Sequence, residues 1–239
     1  LNGTRDRGNK CPQYNMITWN VRGLASPTKR RQIRSYLIRY NIHVAFLQET
    51  HMSKERLAIT QRAWGGTIVG TTSSSFARGV LIWIARGVPY VITVQSIDPE
   101  GRYTIIEGQL DGKPLTLATI YAPNSNQSIF YSKITPALIH DLQAPTIWGG
   151  DFNSVPDICM DRSTPPLRGT ACINNTLALQ QWLRNMGLHD TWRLMHPLTR
   201  EYSFYSPVHN LHTRLDLWAC SDLLIPQIAS AEYMASTQS

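Results

Sequence analysis

Gly149-Gly150-Asp151-Phe152-Asn153, following the short apolar stretch Thr146 to Trp148, is the most specific local signal in the chain. Two glycines let a backbone turn sharply without Cβ clashes. They deliver Asp151 and Asn153, two residues apart, to the same side of an extended segment. A carboxylate and an amide side by side can hold an attacking water and an anionic oxygen together. Taken alone, the pair is more simply the Asp/Asn of a turn.

Working outward, other apolar strands end the same way. Met16 to Val21 alternates with period two, and Asn20 stands near its end. Val44 to Leu47 runs into Gln48-Glu49-Thr50, Leu115 to Tyr121 ends on Tyr121, and Asp216 opens on Arg214-Leu215. Gly79 to Ala85, Tyr90 to Val94 and Tyr103 to Gln109 read as further strands, with Asp111-Gly112 as a hairpin turn and Leu215 to Ala219 as the last strand. Ser26-Pro27 is an N-cap and first helical position, followed by Ile33, Tyr36, Leu37 and Tyr40 at helical spacing. A second helix is expected from Asn174 to Met186, stopped by Gly187. Interspersed helices and frequent hairpins give a mixed α/β domain with largely antiparallel sheets. A carboxylate at an apolar strand end loses solvation unless it shares a cation or accepts hydrogen bonds. Each one singly reads as a loop cap. If the strand ends converge, Glu49, Asp151 and Asp216 surround one hard cation, Mg²⁺ or Mn²⁺, with Asn20, Asn153 and Tyr121 beside them.

Composition sets the frame. The chain has 239 residues, 42% hydrophobic and 16% charged, enough for one large domain or two small ones, and no linker divides it. No apolar run approaches the roughly 18 residues of a membrane span. Leu1 to Lys10 is too polar for a secretory signal. The four cysteines are far apart, so reduced thiols are expected. The formal charge is +7, and residues 1–62 hold 12 Lys and Arg against 3 Asp and Glu. That skew fits a polyanion partner or, equally, a basic leader and a solvated helix face.

Thr18-Trp19-Asn20-Val21-Arg22-Gly23-Leu24, Gln48-Glu49-Thr50, Ile120-Tyr121-Ala122-Pro123-Asn124, the Gly149 to Asn153 run and Thr213-Arg214-Leu215-Asp216, in that order, resemble the motifs of the endonuclease/exonuclease/phosphatase superfamily. Within it they are similar to the apurinic-endonuclease-like domain at the N-terminus of the second open reading frame of LINE-type (non-LTR) retrotransposons. The resemblance implies a DNase I-like four-layer sandwich, with two mixed, largely antiparallel β-sheets flanked by α-helices. It implies Glu49 as the main Mg²⁺ ligand with Asn20 beside it, and Tyr121 against the scissile phosphate. Asp151 would orient or activate water, Asn153 would bind a phosphate oxygen, and Asp216 would support a catalytic histidine. Ser203 stands where the LINE branch often has a DNA-contacting Thr, and Arg162, in Asp161-Arg162-Ser163, where an Arg nears the DNA backbone.

The implied activity is a metal-dependent nick in double-stranded DNA at the insertion site. Its 3′-hydroxyl would prime reverse transcription by a reverse transcriptase domain of the same polyprotein. Residues 1–15 are expected to be a basic leader and 16–239 the endonuclease domain. The domain is expected to be monomeric, nuclear and without membrane contact. The family pattern closes with Ser-Asp-His, whereas Thr237-Gln238-Ser239 stands just before that Asp-His, and no histidine present fits the role. His51, for one, reads as a turn residue. Impaired catalysis is therefore expected of the chain. Arg22, Arg200 and Arg214 are candidate phosphate contacts, while Lys29 to Arg31 are either contacts or a solvated face. Tyr202, Phe204 and Tyr205 are expected to pack as core, with a wedge into a DNA groove as the alternative. An abasic-site repair endonuclease is the nearest alternative. A phosphatase on inositol phosphates, a sphingomyelinase and a non-catalytic DNA-binding module are further ones.

Overall fold

Val44-Ala45-Phe46-Leu47-Gln48 forms β2 (Val44–Gln48), buried along its whole length. Successive side chains of a strand face opposite ways, so β2 needs a cover on both sides. In the computed structural model, which describes residues 12–71, 77–135, 144–166 and 171–234, it has both. The leader through Cys11, residues 72–76 of the first polar loop, His140, residues 167–169 and Thr237 to Ser239 lie outside the described residues.

β2 sits inside a four-stranded sheet ordered β1 (Met16–Asn20), β2, β4 (Val80–Ile84), β3 (Thr67–Gly70). Ala45 and Leu47 face outward onto Ile33 and Leu37 of α1 (Pro27–Arg39) and Trp64 of α2 (Lys54–Trp64). Val44 and Phe46 face inward onto Ile106, Leu115 and Leu117 of a second sheet. That sheet has six strands, ordered β5 (Tyr90–Ile97), β6 (Tyr103–Leu110), β7 (Lys113–Tyr121), β8 (Thr146–Asp151), β12 (Asp216–Ser221), β9 (Leu188–Asp190). Its outer face is closed by α3 (Gln127–Ile134) and α4 (Ala171–Asn185) through Tyr131, Trp148, Leu179 and Trp182. Tyr131 stacks on Trp182 with ring centroids 4.9 Å apart, and Trp148 meets Trp182 edge-on at 5.0 Å. Such aromatic pairs add about 0.5–1.5 kcal/mol each beyond area burial. The result is the four-layer sandwich of two mixed, largely antiparallel sheets. Among the described residues, only β1–β2 and β7–β8 pair in parallel. A short α5 (Thr191–Met195), a hairpin of β10 (Phe204–Ser206) and β11 (Leu211–Thr213), and a 3₁₀ helix at Asp222–Gln227 lie beside these layers.

The Ser26 side chain accepts the Lys29 N–H at the start of α1, with Pro27 at the first position, as read from sequence. The helices α2 and α3 were not legible. In α2 the apolar stripe is broken, because Ile59 is exposed while Thr60 is buried. Two expectations are corrected. Gly149 and Gly150 lie within β8 rather than in a turn. They are required by close approach: a Cβ on Gly149 would come within 2.8 Å of the Trp218 ring, and one on Gly150 within 2.2 Å of the Ile120 carbonyl oxygen. Phe204 and Tyr205 are not core. They stand 37% and 45% exposed on the β10–β11 hairpin, which forms a two-stranded sheet of its own, separate from the two large ones.

Candidate active site

The parallel pairs β1–β2 and β7–β8 end at the same rim of the sandwich. The register sets Asn20 opposite Gln48 and Tyr121 opposite Asp151, while β12 starts antiparallel to β8 with Asp216 opposite Asp151. Beyond these strand ends the backbone bends sharply. Arg22, Glu49, His51 and Asn153 all have positive φ, between 46° and 52°. Non-glycine residues held there cost on the order of 1–3 kcal/mol each and gather at functional sites.

At the centre, the Asn20 amide donates to Glu49 Oε1 at 2.9 Å and to Asp151 Oδ2 at 3.0 Å, and Asn20 Oδ1 accepts the Arg22 N–H. Asp151 Oδ1 accepts the Asn153 N–H at 2.9 Å, and the Asn153 amide donates to the Ala122 carbonyl at 2.7 Å. One connected network thus joins residues 131 positions apart. Burial raises the Asp151 pKa above the usual carboxylate range, opposed by the Asn153 and Asn20 hydrogen bonds and reinforced by Glu49. Burial, then the charge on Asp151, raises Asp216. The two acids face each other with Arg22 as the nearby countercharge, and Asp216 Oδ1 is shut from solvent with no partner among the described residues. Burial and the Glu49 carboxylate push Tyr121 up to about 12, so its hydroxyl stays protonated and can donate.

Sequence reading placed Glu49, Asp151 and Asp216 around one cation. Glu49 and Asp151 are instead bridged by a neutral amide, and among the described residues no three His, Cys, Asp or Glu side chains form a ready metal cluster. The donor set still suits one hard divalent ion at Glu49, with water or substrate oxygens completing its shell: all oxygen, strongly acidic, and with an orphaned buried carboxylate oxygen nearby.

The residues assigned to DNA divide. Arg22 is exposed at the rim, and Arg200 is exposed farther along the chain. Arg162 is half-buried, donating to the Thr164 carbonyl and approaching Cys172 Sγ at 3.5 Å. Arg214 is corrected outright. It is fully buried, donating to Asp161 at 2.7 and 2.9 Å and to Asp190 at 3.1 and 2.5 Å. Burial opposes its charge, but the bonds to Asp161 and Asp190 outweigh that and raise its pKa. It is an internal anchor for the Thr213 to Asp216 segment. Ser203 is anchored too: its Oγ accepts the N–H groups of Leu215 and Asp216, both at 3.0 Å. So placed, the hydroxyl holds the backbone of Asp216 in position.

Two residues escaped sequence reading. His51 Nε2 lies 3.9 Å from Glu49 Oε2, enclosed and without a hydrogen-bond partner among the described residues. Its place two residues after Glu49 was the available signal. Arg102 donates to the carbonyls of Tyr121 and Ala122, and its guanidinium lies 5.1 Å from the Tyr121 ring. Its turn is fixed by Asp98, which accepts the N–H groups of Glu100 and Arg102.

Residues 17–227 match the model of the Endonuclease/Exonuclease/phosphatase family. The chain belongs to that family. A relative described as "Transposon TX1 uncharacterized 149 kDa protein" from Xenopus laevis is 27% identical over 191 residues. The match takes in 78% of this chain but only 14% of that protein's length. Among solved structures of the same fold, the AP endonuclease LMAP from Leishmania major superposes with a TM-score of 0.71 at 20% identity, covering 89% of this chain and 80% of that one. An AP endonuclease from Archaeoglobus fulgidus gives 0.69 at 19%, covering 90% and 89%. The Xenopus laevis APE2 catalytic domain gives 0.66 at 17%, covering 88% and 83%. The fold is thus that of the AP endonucleases within the Endonuclease/Exonuclease/phosphatase family.

Proposed function

We propose that the chain is a metal-dependent endonuclease that nicks double-stranded DNA, as part of a LINE-type retrotransposon protein. The observation that carries this is the Asn20 amide, which ties Glu49 and Asp151 into one oxygen-rich rim on a family fold. A Mg²⁺ ion held by Glu49, or Mn²⁺ in its place, would supply Lewis-acid polarisation of the phosphate. Asp151 accepts the proton of a water placed in line with the phosphorus. The water oxygen bonds to phosphorus as the bond from phosphorus to the 3′ oxygen breaks, and the departing 3′ oxygen takes a proton from solvent. Tyr121, whose hydroxyl stays protonated, donates to a phosphate oxygen. Asn153 sits beside Asp151 with its amide fixed by Ala122, so it orients the phosphate without moving. Asn20 keeps Glu49 and Asp151 at a set spacing. Asp216 is held by Ser203 beneath Asp151, where its free Oδ1 calls for a donor.

The 3′-hydroxyl left by the nick serves as primer for a reverse transcriptase domain elsewhere in the longer protein, in the nucleus where the target DNA lies. The transposon relative, of which this chain matches 14% of the length, supports a place in a longer transposon protein. Site choice belongs to the exposed β10–β11 hairpin, with Phe204, Tyr205 and the 87% exposed Val208, and to the cations Arg22, Arg162 and Arg200. The test is nicking of supercoiled plasmid with and without Mg²⁺, compared with an abasic duplex. Metal-dependent nicks at intact sites with 3′-hydroxyl ends support the reading. Cleavage confined to abasic duplex replaces it with the repair activity, and no cleavage by the chain extended at its C-terminus rejects it.

A further inference from the structure

The outer flank of α1 takes no part in the network at the rim. From Pro12 to Gln48 the chain has no acidic residue, while the approach to α1 and the helix itself carry Arg22, Lys29, Arg30, Arg31, Arg34 and Arg39. Two of these are engaged internally. Arg30 donates to the carbonyls of Leu24 and Ala25, and Arg34 to that of Trp64. Arg22 and Arg39 are exposed, and Lys29 Nζ donates to the Arg22 carbonyl at 3.1 Å, which sets an ammonium at the rim.

A row of rings runs along the same flank. Trp19, next to Asn20 on β1, meets Tyr36 at 4.9 Å between centroids, and Tyr36 meets Tyr40 at 4.4 Å. Tyr40 is 41% exposed, and the Arg39 guanidinium lies 5.8 Å from its ring. Ile33 and Leu37 already supply the face that α1 buries, so Tyr40 is not needed to seat the helix. The row starts at the residue next to Asn20 and ends at the C-terminal end of α1, each ring within 5 Å of the next.

Exposed cations alone are solvated, and a ring contact alone is packing. Together on a helix that carries no acid of its own, they are the combination that binds a single strand: cations follow the phosphates, and rings stack on bases whatever their sequence. Met234 of the C-terminal segment touches the Tyr36 hydroxyl, leaving Tyr40 as the exposed ring. We propose that α1 carries a single nucleic-acid strand leading away from the rim, its phosphates met by Arg22, Lys29 and Arg39 and a base stacked on Tyr40. The proposal deepens the nuclease reading and rests on it only in placing one end of the strand at the cleft.

The test is fluorescence anisotropy of the whole chain with a labelled 20-nucleotide oligothymidylate in EDTA, over a range of KCl concentrations. Plasmid nicking by the same proteins is measured with Mg²⁺. Tyr40→Ala is expected to weaken strand binding about 5- to 100-fold, the worth of one stacked base, and Tyr40→Trp to restore it. Arg39→Gln is expected to lower the salt slope by about 0.7. Both Tyr40 variants and Arg39→Gln keep nicking within about twofold of the parent, since they lie outside the rim. Binding unchanged in Tyr40→Ala, or as weak in Tyr40→Trp as in Tyr40→Ala, overturns the proposal. So does nicking that falls in step with binding, which would assign the flank to the cleft's own duplex. Tyr40-dependent binding in a chain that does not nick sustains the strand site while the nuclease reading fails.

Discussion

The two halves of the sandwich carry opposite charge. Residues 12–89, which form the first sheet with α1 and α2, contain eleven Lys and Arg but only Glu49 and Glu55 as acids. Residues 90–239, which include the second sheet with α3 and α4, contain nine Lys and Arg against thirteen Asp and Glu. The rim lies where the halves meet, and each sends different chemistry to it. The basic half supplies one acid, Glu49, and the exposed Arg22. The acidic half supplies Asp151, Asp216 and Tyr121. A basic surface attracts phosphates, but an acid at their destination is what accepts a proton or holds a cation. Separating the two by sheet lets one rim do both without neutralising itself.

The largest expected effect comes from the acidic half. Asp151→Asn should cost nicking by about 10²–10⁴, the usual worth of a general base, with an unchanged circular dichroism spectrum. A variant retaining a tenth or more of the parent rate would move the base elsewhere. Next is the anchor behind the rim. Arg214→Met leaves Asp161 with Arg193 alone and removes the arginine from Asp190, and should destabilise the fold by about 3–5 kcal/mol in urea titration, as breaking a buried ion pair does. If stability stays within 1 kcal/mol by that titration, roughly the scale of a surface substitution, Arg214 is not holding the acidic half together.

Asp216→Asn reaches the comparison through pH. The Asp216 pKa is raised by burial and by Asp151, so its folded value lies above its unfolded value. Its neutral form is the favoured one in the fold. The contribution is therefore fully present in acid and is lost as pH rises through the raised folded value. Without metal, the parent should lose stability into the weakly alkaline range, and Asp216→Asn should flatten that loss, gaining on the order of 1–3 kcal/mol at the alkaline end. Identical pH profiles in thermal melts would contradict this. The smallest effect belongs to the basic half. Arg22→Gln should reduce the salt slope of duplex binding by about one, uniformly across target sequences. A sequence-dependent change would make Arg22 a base reader.

Much of this was legible before any coordinates. Alternation in Met16 to Val21 and the Ser26-Pro27 cap named β1 and α1, because local patterns and local caps coincide there with the tertiary environment. The residues of the rim were legible as strand-end polar groups, since burial of such groups is costly wherever it happens. Their pairing was not: no local rule says that Asn20 would stand between Glu49 and Asp151, 131 residues away from the second. Arg214 misled for a related reason. An arginine next to a candidate site reads as a phosphate contact, and only the fold reveals that Asp161 and Asp190 are waiting beneath it. Gly149 and Gly150 were read as bend formers because glycine is most often noticed for freedom, whereas here its small size admits Trp218 and Ile120.

The Asn20 wedge has a consequence for substitution at its own position. One side chain donates to both Glu49 and Asp151, so shortening it removes two bonds at once and leaves the gap between the two carboxylates to their mutual repulsion.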